Sequence, residues 1–104
     1  MDEIATRRLG SSALSVTTLG FGGGTIGSAD VSNADAAATV AAAWTSGVRF
    51  FDTAPWYGIG RSERRLGLAL AELGTACVVN TKVGKTLQPE AHRDESKKTL
   101  SPGG

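Results

Sequence analysis

The stretch GVRFFDTAPWYGIGRSERRLG, Gly47 to Gly67, decides how this chain is parsed. Val48 to Phe51 is a short run rich in apolar β-formers and predicts a strand buried on both faces. Asp52 stands where that strand stops, Pro55 and Gly58 force a loop, and Ser62-Glu63 open a helix. A carboxylate, an indole (Trp56) and a phenol (Tyr57) therefore gather at the C-terminal end of a buried strand. In parallel α/β folds that end is where ligands bind. Lys82 closes the next apolar run, Cys77-Val78-Val79-Asn80-Thr81, at the same end of the next strand.

Outward from this stretch, the pattern alternates. Arg7-Arg8-Leu9 and Ala13-Leu14-Ser15-Val16 flank Gly10-Ser11-Ser12 and predict a small β-hairpin. Thr17 to Phe21 is a candidate strand that ends in Gly22-Gly23-Gly24. Ser32 is a candidate N-cap, with Asp35 in the first turn to meet the helix dipole. Ala36, Val40 and Trp44 recur at helical spacing beside Ala37 and Ala41, an apolar face whose small residues permit close approach to a sheet. Gly47 ends that helix. The next helix, Ser62 to about Leu73, places Leu66, Leu70 and Leu73 on one side, and Gly74 stops it. Strand, helix, strand, helix, strand predicts a parallel sheet with right-handed crossovers.

From Gly84 the pattern lapses. The chain is expected to be ordered over about residues 6–85, with 86–104 a mobile tail; a short exposed helix over Glu90 to Lys98 is the alternative. At 104 residues the length allows one domain of ordinary size and no more. With 40% hydrophobic residues, 20% charged and a formal net charge of +1, it has no electrostatic footprint for nucleic acid or an anionic membrane. The lone cysteine, Cys77, cannot form an internal disulfide and is most simply a core residue in a reducing compartment. Met1-Asp2-Glu3 is acidic and no apolar run reaches the ~20 residues of a membrane helix. A cytoplasmic protein is expected. Nothing has metal-ligand spacing.

Gly47-x-Arg49-x-Phe51-Asp52-Thr53-Ala54, Tyr57-Gly58, Glu63-x-x-Leu66-Gly67 and Thr81-Lys82 together resemble the N-terminal part of an aldo-keto reductase. The wording FDTAPWYGIGRSERRLG is similar to that of bacterial aldose or pyridoxal dehydrogenases. Val48 and Phe50 stand where that family often has an aromatic and a histidine, and the Ala54-to-Glu63 interval is longer than the usual signature. The resemblance covers roughly residues 7 to 85 and implies an α/β fold, the N-terminal portion of a (β/α)8 TIM barrel. That portion is a β-hairpin plugging the barrel bottom, about three parallel strands and two helices. A closed barrel takes about 250 residues, so the expectation is an incomplete one.

Reducing a carbonyl by hydride needs a proton donor at the oxygen, and a tyrosine serves if a neighbouring ammonium stabilises its phenolate. The resemblance implies Tyr57 as acid/base, Lys82 as the group that tunes it, and Asp52 as the anchor of Lys82 and a ribose contact. It also implies that Gly24, Thr25 and Ile26 line NADP or NAD at the mouth of the first strand, and that Trp56 walls a pocket for a small carbonyl or alcohol. Each residue has a plainer reading: Asp52 as a turn cap, Tyr57 as a loop aromatic, Lys82 as a snorkelling stem, Trp56 as a partly buried ring. Jointly, at matching ends of adjacent strands, the catalytic reading is favoured. The family's substrate-orienting histidine comes from a later strand, so His92 does not match it. The family's adenosine-phosphate site lies in later strands and loops, so the chain alone is expected to be inactive, or to be a non-catalytic remnant that self-associates through open sheet edges.

A rival remains in Gly22-x-Gly24-x-x-Gly27, which fits the dinucleotide fingerprint of a Rossmann-type module. That fingerprint needs its helix to begin at the last glycine, whereas here the helix signal starts at Ser32. It is the minor alternative.

Overall fold

The computed structural model describes residues 3–86 and 101–102. The hairpin pairs β1 (Thr6–Arg8) with β2 (Ser15–Thr17) antiparallel, Arg7 opposite Val16. Leu9 and Leu14, expected in the strands, instead lie in the turn, where the Leu9 amide donates to the Leu14 carbonyl at 2.8 Å. Val16 and Thr17 are buried. Thr17 Oγ1 accepts from the Arg49 amide at 3.1 Å, fastening the hairpin to the N-terminal end of the central strand.

That sheet runs β3 (Phe21–Gly22), β4 (Phe50–Asp52), β5 (Val78–Asn80), and both pairings are parallel. Phe51 lies opposite Phe21 and Val79, and Asp52 opposite Gly22 and Asn80. Helices α1 (Asn33–Thr45) and α2 (Arg61–Leu73) complete the crossovers. Ser32 caps α1 as its sequence predicts: its side chain accepts from the Asp35 amide at 3.0 Å. Gly47, at φ +100°, turns the chain out of α1 in a conformation that side chains with a Cβ disfavour.

The core forms on one face of the sheet. Phe51 is fully buried there with Ile26, Ala36, Val40, Leu66, Ala69 and Leu70. Its ring lies 5.7 Å from that of Phe21 and 6.4 Å from that of Trp44. Because successive strand residues face opposite ways, Phe50 and Asp52 project from the other face. Phe50 is only half-buried, so the expected burial on both faces is corrected to burial of the helix face. Both helices pack on the Phe51 side, which is the outer face of a (β/α)8 barrel.

The Rossmann-type alternative is overturned here. Thr25–Gly27 forms a single 3-10 turn and no α-helix opens at Gly27; α1 starts at Asn33, too far on for its amides to meet a pyrophosphate at the glycines. Beyond the sheet, β6 (Lys85–Thr86) pairs antiparallel with β7 (Ser101–Pro102). The rest of the expected tail, with the alternative helix Glu90 to Lys98 and His92, lies outside the described residues. Among the described residues no helix is long and apolar enough to cross a membrane.

Candidate active site

Asp52 ends β4 with its side chain on the face away from the helices. Lys82 lies just past β5, and its Nζ donates to Asp52 Oδ2 at 3.0 Å and Oδ1 at 3.2 Å. The same ammonium donates to the Thr53 carbonyl at 2.9 Å and stands 4.8 Å from the centre of the Tyr57 ring. Acid, amine and phenol thus come together at the C-terminal end of the sheet. Parallel pairing explains the meeting: β4 and β5 run side by side, so residues just beyond their ends share one mouth.

Asn80, the register partner of Asp52, donates its side-chain amide to Asp52 Oδ1. The bond from Asn80 and then that from Lys82 hold the Asp52 carboxyl below its ordinary value, against a smaller opposing effect of burial. Lys82 is pushed above the usual lysine value, first by its bond to Asp52 and, less, by Tyr57. Both groups are charged at neutral pH, and the ammonium is fixed between an acceptor and an aromatic face.

Trp56 is half-buried and meets Tyr57 edge-on, the ring centres 6.1 Å apart at 82°. Gly24 and Thr25 are exposed beside the mouth, whereas the Ile26 side chain is buried in the core among the helices. Only the backbone of Ile26 is therefore available toward a cofactor. Cys77 packs against the core as expected, and burial raises its thiol pKa.

Reading the chain alone missed the polar scaffold. Ser62, predicted to open α2, is its second residue; Gly60, at φ +87°, precedes the helix. The Ser62 hydroxyl is fully buried, donates to the Gly23 carbonyl at 2.7 Å and lies 2.7 Å from Thr53 Oγ1. The Gly23 amide in turn donates to the Asp52 carbonyl at 2.7 Å. Arg61 and Arg65 of α2 donate to carbonyls of the segment after β3. The one available signal was their i, i+4 spacing, which puts both on one helix face. Asn80 could have been found as the residue two before Lys82 on a predicted strand, hence on its side of the sheet.

Residues 18–101 match the sequence model of the Aldo/keto reductase family. A pyridoxal 4-dehydrogenase of Microbacterium luteolum is 48% identical over 86 residues, which make up 81% of this chain and 25% of that protein. A D-threo-aldose 1-dehydrogenase of a Pseudomonas species is 39% identical over 89 residues, 83% of this chain and 27% of that protein. Among solved structures, the holo form of an aldo-keto reductase from Bacillus halodurans superimposes with a TM-score of 0.80 at 26% identity, covering 97% of this chain and 31% of that one. This chain spans about a quarter to a third of the length of the relatives it matches. Parallel strand order, sequence and structural likeness agree: the chain belongs to the aldo/keto reductase family, and its fold is the N-terminal portion of a (β/α)8 barrel.

Proposed function

We propose that this chain carries the proton-transfer half of a nicotinamide-dependent carbonyl–alcohol interconversion, on an aldose or a pyridoxal-like substrate. Tyr57 is the acid/base, Lys82 the ammonium that tunes it, and Asp52 the anchor that keeps Lys82 in place. In the reducing direction Tyr57 gives its hydroxyl proton to the substrate oxygen, leaving a phenolate that the Lys82 charge stabilises; in the oxidising direction the phenolate takes the proton back. When bound, NADP or NAD supplies or accepts the hydride. Trp56, edge-on to Tyr57, walls the substrate side. The observation that carries this reading is the Lys82 ammonium held 3.0 Å from Asp52 Oδ2 and 4.8 Å from the Tyr57 ring centre.

The residues present fit the ribose end of such a cofactor. The Asp52 side chain remains 38% exposed, which leaves its oxygens room to accept ribose hydroxyls. Positions Gly22 and Gly24 have nothing within 4 Å of where a Cβ would sit, so a ligand can approach their backbone closely. Gly24, Thr25 and the Ile26 backbone would form that side of the cradle.

The decisive experiment grafts residues 1–86 onto the remainder of the Microbacterium luteolum relative in place of its own first segment. The chimera is expected to oxidise pyridoxal, and Tyr57→Phe in it to lower kcat by at least about a hundredfold. Full activity in the Tyr57→Phe chimera would refute the assignment. The 104-residue chain alone is expected to show no NAD(P)H-dependent reductase activity; turnover abolished by Tyr57→Phe would overturn that expectation.

A second reading, a non-catalytic segment that pairs with another chain, draws on one observation. β5 is an outer strand of the described sheet, and its Val79 is 49% exposed. Titrating the chain with reduced nicotinamide cofactor and following its fluorescence separates the two, since only the first predicts binding.

A further inference from the structure

Two arginines of α2 donate to carbonyls of the segment after β3 that carries Gly24 and Thr25. Arg65 Nη1 donates to the carbonyls of Ile26 at 2.6 Å and Ser28 at 3.0 Å. Its Nη2 reaches the Val31 carbonyl at 2.7 Å and its Nε the Asn33 side-chain oxygen at 2.9 Å. One turn earlier, Arg61 Nη1 donates to the Gly27 carbonyl at 2.8 Å. A planar fork can meet several acceptors in fixed directions, which a lysine ammonium cannot.

The gripped segment does not end at itself. Its Gly27 backs onto the backbone beside the phenol: a Cβ there would lie 2.7 Å from the Tyr57 carbonyl oxygen. A Cβ on Gly58 would overlap the Gly27 carbonyl oxygen, the same atom to which Arg61 donates. Gly58, Ile59 and Gly60 follow at φ +65°, +57° and +87°, a run of left-handed residues that an isolated loop would not choose.

We infer that Arg65, with Arg61, is a positioning residue for Tyr57: α2 latches the segment after β3, and through the Gly27–Gly58 contact that segment fixes the loop bearing the phenol. This rests on the reading of Tyr57 as proton donor, and it gives that reading a mechanical origin outside the mouth. Neither arginine touches the Asp52–Lys82 pair. A merely structural arginine on α2 would loosen the helix and its core; a latch loosens two loops and spares them.

Amide hydrogen exchange on the 104-residue chain tells these apart. In Arg65→Met, the amides of Gly27 and Ser28, and across the contact those of Ile59 and Ser62, are expected to exchange about ten- to a hundredfold faster, the loss of charge-assisted bonds. The amides of Val40 in α1 and Phe51 in β4 should keep their rates. Equal acceleration everywhere, or acceleration confined to Gly27 and Ser28 with Ile59 and Ser62 unmoved, would overturn the latch. Should Arg65→Met fail to fold, Arg65→Lys, which keeps stem and charge without the fork, is read by the same criterion. No cofactor or turnover enters this measurement. A chimera inactive with the latch intact would count against the functional reading alone, and an absent latch in an active chimera against this inference alone.

Discussion

At the scale of single residues, the site rests on charges held by short bonds and on one tightly packed loop. The Asp52 carboxyl is held below its ordinary value by Asn80 and then Lys82, so its contribution to stability is intact above the unfolded carboxyl's pKa of about 3.9 and is lost as pH falls through the lower folded value. Lys82 is raised, so its contribution is intact below about 10.4 and is lost as pH climbs through its higher folded value. Asp52→Asn should therefore lower the urea midpoint slightly between those limits and flatten the decline toward acid; an unchanged acid limb would show that the pair is not formed. The effect is small because both side chains are about a third exposed, at 32% and 38%. Ser62→Ala is a larger change. It leaves the Gly23 carbonyl and the Thr53 hydroxyl short of a buried partner and should cost about 1–3 kcal/mol, read as a lower urea midpoint at unchanged slope. Ser62 was visible in the sequence only as a helix opener, because nothing local says that a hydroxyl at the second helical position will turn sideways into a loop.

At the scale of elements, much was legible because the controlling interactions are local. Ser32 followed by Asp35, and Gly47 after an alanine-rich apolar face, announce the two ends of α1 by chemistry that acts within a few residues. Ser32→Ala is expected to cost about 1 kcal/mol, with the loss of helical signal on heating as the readout. The strand bounds were less legible: β4 runs Phe50–Asp52 where the apolar run suggested Val48–Phe51, since the ladder is set by where β3 and β5 lie beside it. Asp52, Tyr57 and Lys82 could be picked out because strand ends in a parallel sheet align. The arginine latch could not, as its acceptors lie more than thirty positions away in sequence from Arg65. The burial of the Ile26 side chain was not legible either. The resemblance implies that Ile26 lines the cofactor; its side chain gains by burial beside two helices, which leaves its backbone for that part.

At the scale of the whole molecule, three parallel strands and two helices enclose one core on one face. Leu66 is 2% exposed, and Leu66→Ala should cost about 2–5 kcal/mol, a large share of the stability of a domain this size; loss of the cooperative unfolding transition is the expected result. The reading in which the chain pairs with another copy puts the contact on β5, an outer strand of the described sheet, with Val79 on its helix-side face. Sedimentation velocity should show concentration-dependent association that Val79→Lys reduces, and association unaffected by that change would place the contact elsewhere.

The central claim is that phenol and ammonium share one mouth. Tyr57 is the chain's only tyrosine, so the nuclear Overhauser effect from its ring protons can be assigned without ambiguity. A cross-peak to the side-chain methylene next to the Lys82 nitrogen is expected, absent in Lys82→Met. A Tyr57 ring that instead reports only protons remote from Lys82 in the folded wild-type chain would contradict it.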